Sequence, residues 1–250
     1  MIRRLACLLL VFVLAATSGC ALFRRDKPER DPSETAQRLA RNADRALEQG
    51  NFQSAIGGYE SLVAIHPFSE QARQAQISLM YAYWRNDEPE AAIIAADRFI
   101  LENPTHPRVD YALYMKGLSM LPRDPGPMER LFRVDLSKRP PGEMQRAFNT
   151  FAQLLQQHPE SEYGPDARQR MIYLRNRLAA HEVYVADFYV RRNAYVAALN
   201  RARHVVEAYQ ETPSVVPALE VMATAYDRLG LADLAADTRR VIAANEPARR

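Results

Sequence analysis

Cysteine, tryptophan and glycine are scarce in this chain of 250 residues, which holds two, one and nine of them. Two cysteines cannot build a disulfide framework or a four-ligand zinc site. The few glycines, with 16 prolines gathered at turns, exclude collagen-like and low-complexity architectures. There is no His-Glu-x-x-His, no Gly-x-Ser-x-Gly and no glycine-rich phosphate loop. Excess charge of one sign is also missing. The 33 basic residues exceed the 30 acidic ones by 3, too small a surplus to point to nucleic acid. What remains is an ordinary globular balance, with 48% hydrophobic and 25% charged residues.

The first residues read as an address. Arg3 and Arg4 precede an apolar run from Leu5 to Ala16, and Thr17-Ser18-Gly19-Cys20 follows. A short positive segment, an apolar stretch and small residues describe a cleavable export signal over 1–19. The run is too short to remain as a helix across a hydrocarbon core of ~30 Å. The cysteine after Ser-Gly resembles the lipobox of bacterial lipoproteins, although Thr17 stands where that pattern prefers leucine. The resemblance implies a diacylglyceryl group and an N-acyl chain on Cys20. The alternative is an ordinary signal peptide that leaves Cys20 as a free thiol. Removing Arg3 and Arg4 leaves 31 basic against 30 acidic residues, so the surplus belongs mostly to the signal. Lipoprotein sorting by the next residue, here Ala21 rather than aspartate, implies an outer-membrane anchor facing the periplasm. Residues 20–33, polar and broken by Pro28 and Pro32, suit a flexible tether.

Beyond the tether, apolar residues recur at helical spacing between breakers. Pro67, Pro104, Pro159, Pro213 and Pro247 each close a run. A small residue, Ala55, Ala92, Ala147 or Ala235, stands twelve residues before four of them, and Ala198 stands fifteen before Pro213. Five residues ahead of each alanine is a turn former: Gly50, Asp87, Gly142, Asn193 or Gly230. Seven residues after each is Leu62, Phe99, Leu154, Val205 or Ile242. This spacing resembles the tetratricopeptide (TPR) repeat, a helix–turn–helix unit of about 34 residues. An all-α, right-handed superhelix of about ten helices in five repeats is expected. The phase slips twice. A loop is expected over 122–141, inside an N-terminal module of three repeats over 34–160. One long helix from Pro165 to Arg192, with Met171, Leu174, Leu178, Val185 and Phe188 on its buried stripe, should open a C-terminal module of two repeats over 161–250.

Chemistry-bearing residues are few. His66, His106 and His158 adjoin the repeat prolines, and His181 and His204 have no second ligand at metal spacing. Glu88 and Glu90 flank a turn. No catalytic residue, metal or enzyme activity is expected. The aromatic residues Tyr81, Trp84, Tyr111 and Tyr114 can line a peptide groove, whereas Tyr83 reads as core. Between Ala167 and Val206 stand eight arginines against Glu182 and Asp187, a local charge of +6. That excess points to an acidic protein partner or an anionic surface, a solvated helix face accounting for part of it, Arg168, Arg170 and Arg175 above all. Arg191, Arg192, Arg201 and Arg203 are the candidate contacts, Arg201 first because it follows a tight turn.

Several strings resemble one family in detail. They are Asp97-Arg98-Phe99-Ile100, Asn103-Pro104-Thr105-His106-Pro107, Asp110 through Leu118, Phe132-Arg133-Val134-Asp135, Arg177-Leu178-Ala179, Tyr195 through Arg201, and Val241-Ile242-Ala243-Ala244-Asn245. They are similar to the BamD family, the TPR lipoproteins of the outer-membrane β-barrel assembly machinery. The resemblance implies a non-enzymatic scaffold without cofactor. Its C-terminal repeats would dock on the periplasmic domains of the BamA barrel, with Arg201 at a family contact position. Other lipoproteins of the complex are further implied partners. Its N-terminal repeats would engage incoming barrel precursors, with an extended terminal strand held by backbone pairing and side-chain pockets. A TPR lipoprotein adaptor for cell-wall or envelope-maintenance enzymes is the other reading.

Overall fold

The computed structural model describes residues 32–121 and 141–245. The expected lipidation at Cys20, most of the expected tether, residues 122–140 of the expected loop over 122–141, and Pro247 lie outside the described residues. Among the described residues the chain is all-α, with ten helices and no strand. They are α1 (Pro32–Glu48), α2 (Phe52–Ile65), α3 (Glu70–Arg85), α4 (Pro89–Glu102), α5 (Val109–Ser119), α6 (Gly142–Gln157), α7 (Gly164–Arg191), α8 (Tyr195–Ala208), α9 (Val215–Arg228) and α10 (Ala232–Asn245). Each packs on the next, giving five helix pairs, and first helices also touch one another from pair to pair. Pro32 and Ser33, assigned to the tether from sequence, open α1, since proline is tolerated in a first helical turn.

The turns inside the pairs share one geometry. Gly50, Asp87, Asn193 and Gly230 all have positive φ, from 59° to 74°. In each, the left-handed residue and its successor donate back to carbonyls of the helix just ended. The Gly50 and Asn51 amides reach the Leu47 and Ala46 oxygens, and the Asn193 and Ala194 amides reach those of Val190 and Tyr189. Gly142 departs from this set. It opens α6 as a helical residue, because about twenty inserted residues separate it from α5.

The five phase alanines, Ala55, Ala92, Ala147, Ala198 and Ala235, are wholly buried. A methyl group at each lets paired helices approach closely. The following apolar positions Leu62, Phe99, Leu154 and Val205 are wholly buried too, covered by the next pair, whereas Ile242 is only half-buried. The carbonyls of those four accept from the C-caps His66, Asn103, His158 and Tyr209. Thus α8 has the same 14 residues as α2 and α4. The additional residues before Pro213 belong to the linker after α8 and do not lengthen the helix.

The long helix α7 runs 28 residues. Ala167, Leu174 and Leu178 pack with a cluster built from α3 to α6, and Ala179 and Ala186 pack with α8 and α9. Leu178 and Ala179 point about 100° apart on a helix, so the buried face rotates where α7 changes neighbours. A single stripe therefore fails at its far end: Phe188 is exposed.

Candidate protein-binding surfaces

Four first-helix aromatics expected at a groove fall into two contacting groups. Tyr81 and Trp84 on α3 have ring centroids 6.0 Å apart. Tyr111 and Tyr114 on α5 both meet Tyr163, at 5.5 Å and, stacked, at 4.7 Å. Tyr163 was missed by sequence reasoning. The repeat register could have found it, since Tyr163 follows Pro159 by four residues as Arg108 follows Pro104. Arginines lie over the rings. The Arg85 guanidinium is 4.7 Å from the Phe52 centroid and 5.6 Å from that of Tyr81, and Arg108 is 4.7 Å from Tyr111.

These side chains are not equally free. The Tyr114 hydroxyl donates to Asp166 Oδ2 at 2.7 Å, and Asp166 also pairs with Arg170. Arg85 donates to the Tyr81 hydroxyl at 2.7 Å. Burial, the larger cause in both, pushes the Tyr111 and Tyr114 hydroxyls up to about 12, helped by neighbouring Tyr163 and by the Asp166 bond respectively. Trp84 is 39% exposed and is the most open member. Tyr83 is half-buried, donates to Glu60 Oε1 at 2.5 Å and faces a different groove.

The basic segment is less bare than its composition suggests. Arg175 pairs with Glu211 at 3.3 Å, and Arg170 pairs with Asp166, acids just outside the counted segment. Arg201 Nη1 lies 3.0 Å from Glu182 Oε2; the arginine side chain is 48% exposed and the glutamate 15%. Glu182 on α7 therefore holds Arg201 on α8 at the surface. The Arg192 guanidinium sits 4.7 Å over the Phe188 ring. Arg191 and Arg203 are exposed and have no ion pair among the described residues.

Among the described residues no group of His, Cys, Asp and Glu is arranged to hold a metal, and no helix is long and apolar enough to cross a membrane. Stacked helix pairs with aromatic and basic faces define a class of fold, the helical-repeat protein. The model of the family described as "YfiO: Outer membrane lipoprotein" matches residues 32–241. Outer membrane protein assembly factor BamD of Vibrio cholerae is 36% identical over 235 residues, covering 94% of this chain and 96% of that protein. BamD of Neisseria meningitidis serogroup A is 38% identical over 244 residues, covering 96% and 91%. The chain belongs to this family, that of the outer membrane protein assembly factor BamD, and is not an enzyme. Among solved structures, the MamA protein aligns over 86% of this chain and 93% of its own at 19% identity, with a TM-score of 0.34. A tetratricopeptide repeat protein from Parabacteroides merdae aligns over 84% and 79% at 12% identity, with a TM-score of 0.39.

Proposed function

We propose that this chain is a periplasm-facing outer-membrane lipoprotein, anchored through acyl chains on Cys20, that scaffolds the β-barrel assembly complex. The observation that carries the reading is the near full-length similarity to BamD from two genera. Two or more acyl chains suffice for stable anchoring at about 0.8 kcal/mol per buried methylene. The C-terminal repeats dock on the periplasmic domains of BamA, with Arg201 as the central contact and Arg191, Arg192 and Arg203 around it; other lipoproteins of the complex share the scaffold. Arg201 suits the role because Glu182 fixes its direction while half of its side chain stays open.

The row Trp84, Tyr81, Tyr111, Tyr163 and Tyr114 takes an extended segment of a barrel precursor. Backbone pairing as in a sheet is not available, because no strand edge exists among the described residues. Ring stacking and bonds from Arg85, Arg108 and tyrosine hydroxyls serve in its place. Arg201→Glu should abolish co-purification with BamA while circular dichroism stays unchanged. Trp84→Ala with Tyr81→Ala should reduce crosslinking to precursors without affecting BamA. Full BamA recovery with Arg201→Glu would remove the interface assignment.

A further inference from the structure

A second groove lies away from the aromatic row. It opens between α2 and α4 over α3, with a volume of about 530 Å³. Leu79 on its floor and Tyr81 in the row point about 200° apart around α3. Apolar side chains dominate its lining, including Val63, Leu79 and Ile94. Ile94 is 67% exposed for want of a neighbour.

The repeat itself indicates what is missing. Positions 37 residues further along are equivalent, as Ala55 is to Ala92, so Glu60 corresponds to Asp97 and Leu79 to Lys116. In that next interval Lys116 Nζ pairs with Asp97 Oδ1 at 2.6 Å, bridging α5 to α4. Here the lysine is replaced by Leu79. Glu60 accepts only the Tyr83 hydroxyl and has no cation among the described residues. The other polar lining groups are already engaged, since Glu102 binds Arg98 Nε at 2.7 Å and Gln76 Nε2 at 2.8 Å. The groove thus combines an apolar floor with one uncompensated carboxylate.

Its occupant must bring a cation and apolar side chains, and must satisfy its own backbone. The walls are helices whose amides and carbonyls are already bonded, so an extended strand would lose its backbone hydrogen bonds on entering. A helix loses none. The lining at 76, 79 and 83 of α3 and at 91, 94 and 98 of α4 spans two helical turns, matching an i, i+3/i+4, i+7 face. We infer that this groove docks an amphipathic helix of a partner protein, carrying a lysine or arginine opposite Glu60.

Two fluorescein-labelled, alanine-based peptides of roughly 16 residues, long enough for measurable helicity, test this. Both carry leucines at i, i+4 and i+7; one has lysine and the other glutamate beside them. Anisotropy with the full-length mature chain should show the lysine peptide bound at least about tenfold tighter, a difference of about 1.4 kcal/mol. Leu79→Lys should weaken that peptide about tenfold or more by supplying the internal cation, and Glu60→Lys should reverse the preference. Ile94→Ser, at an exposed position, removes apolar lining without adding charge and gives a second disruption if Leu79→Lys does not fold. Equal binding of both peptides, no binding, or full affinity in Leu79→Lys and Ile94→Ser would overturn the inference. So would sedimentation showing a wild-type dimer that Leu79→Lys dissociates, because a second copy would then fill the groove.

Discussion

Gly57 and Gly117 both lie inside helices, and a methyl group would meet different surroundings at each. At Gly57 on α2 nothing lies within 4 Å of an added Cβ, whereas at Gly117 on α5 it would come within 2.6 Å of the Phe151 ring. Alanine gains about 1 kcal/mol over glycine in a helix interior, and overpacking a core costs about 1–3 kcal/mol. Phe151 is wholly buried and cannot swing away. Gly57→Ala should therefore raise stability and Gly117→Ala lower it, as read from urea midpoints of the two variants. The tyrosines make a second prediction at this scale. Tyr111 and Tyr114 hold their protons up to about pH 12 when folded, against 10.0 for an ordinary tyrosine. The folded state then binds more protons than the unfolded one above pH 10, so stability is full below that value and declines as pH rises toward 12. Urea unfolding at stepped alkaline pH, with tyrosinate absorbance followed alongside, should show this decline, and Tyr111→Phe should reduce it.

The repeated second helix offers a controlled comparison at the element scale. Leu62 and Leu154 are wholly buried at the position where Ile242 of α10 is half-exposed. Leu62→Ala and Leu154→Ala should each cost about 2–5 kcal/mol. Ile242→Ala, whose side chain no later helix covers among the described residues, should cost less than either. Thermal unfolding of the three variants checks the order. This regularity explains why the elements were legible in sequence: close approach needs alanine, the turn needs a left-handed residue, and the next pair buries an apolar side chain. Four of the five turn formers carry positive φ because each sits directly between paired helices; Gly142 does not, because an insertion intervenes. The buried face of α7 was less legible because it follows changing neighbours rather than one period, which exposes Phe188. The candidate surfaces were half legible. Tyr81 and Trp84 at the end of α3, and Tyr111 and Tyr114 at the start of α5, are aromatic pairs three residues apart that the sequence displays, but Tyr163 precedes its helix, and the acids pairing with Arg170 and Arg175 lie outside the basic segment.

For the whole molecule the decisive element is α7, shared between two hydrophobic clusters. Breaking it should separate them. Ala180→Pro, placed just past the change of neighbours, removes a helical hydrogen bond and costs about 3 kcal/mol or more. Unfolding of this variant by heat should split into two steps, and hydrogen exchange should show α8 to α10 opening before α1 to α6. A single step at a lower midpoint would contradict this division.

With 28 residues rising about 1.5 Å each, α7 is a rod about 42 Å long. It has no proline after its first turn, so no joint interrupts it. Glu182, which grips Arg201, and Asp166, the carboxylate that tethers Tyr114, therefore stand on one unbroken helix, about 24 Å apart along its axis. The distance between the basic face and the aromatic row is thus set by a single element.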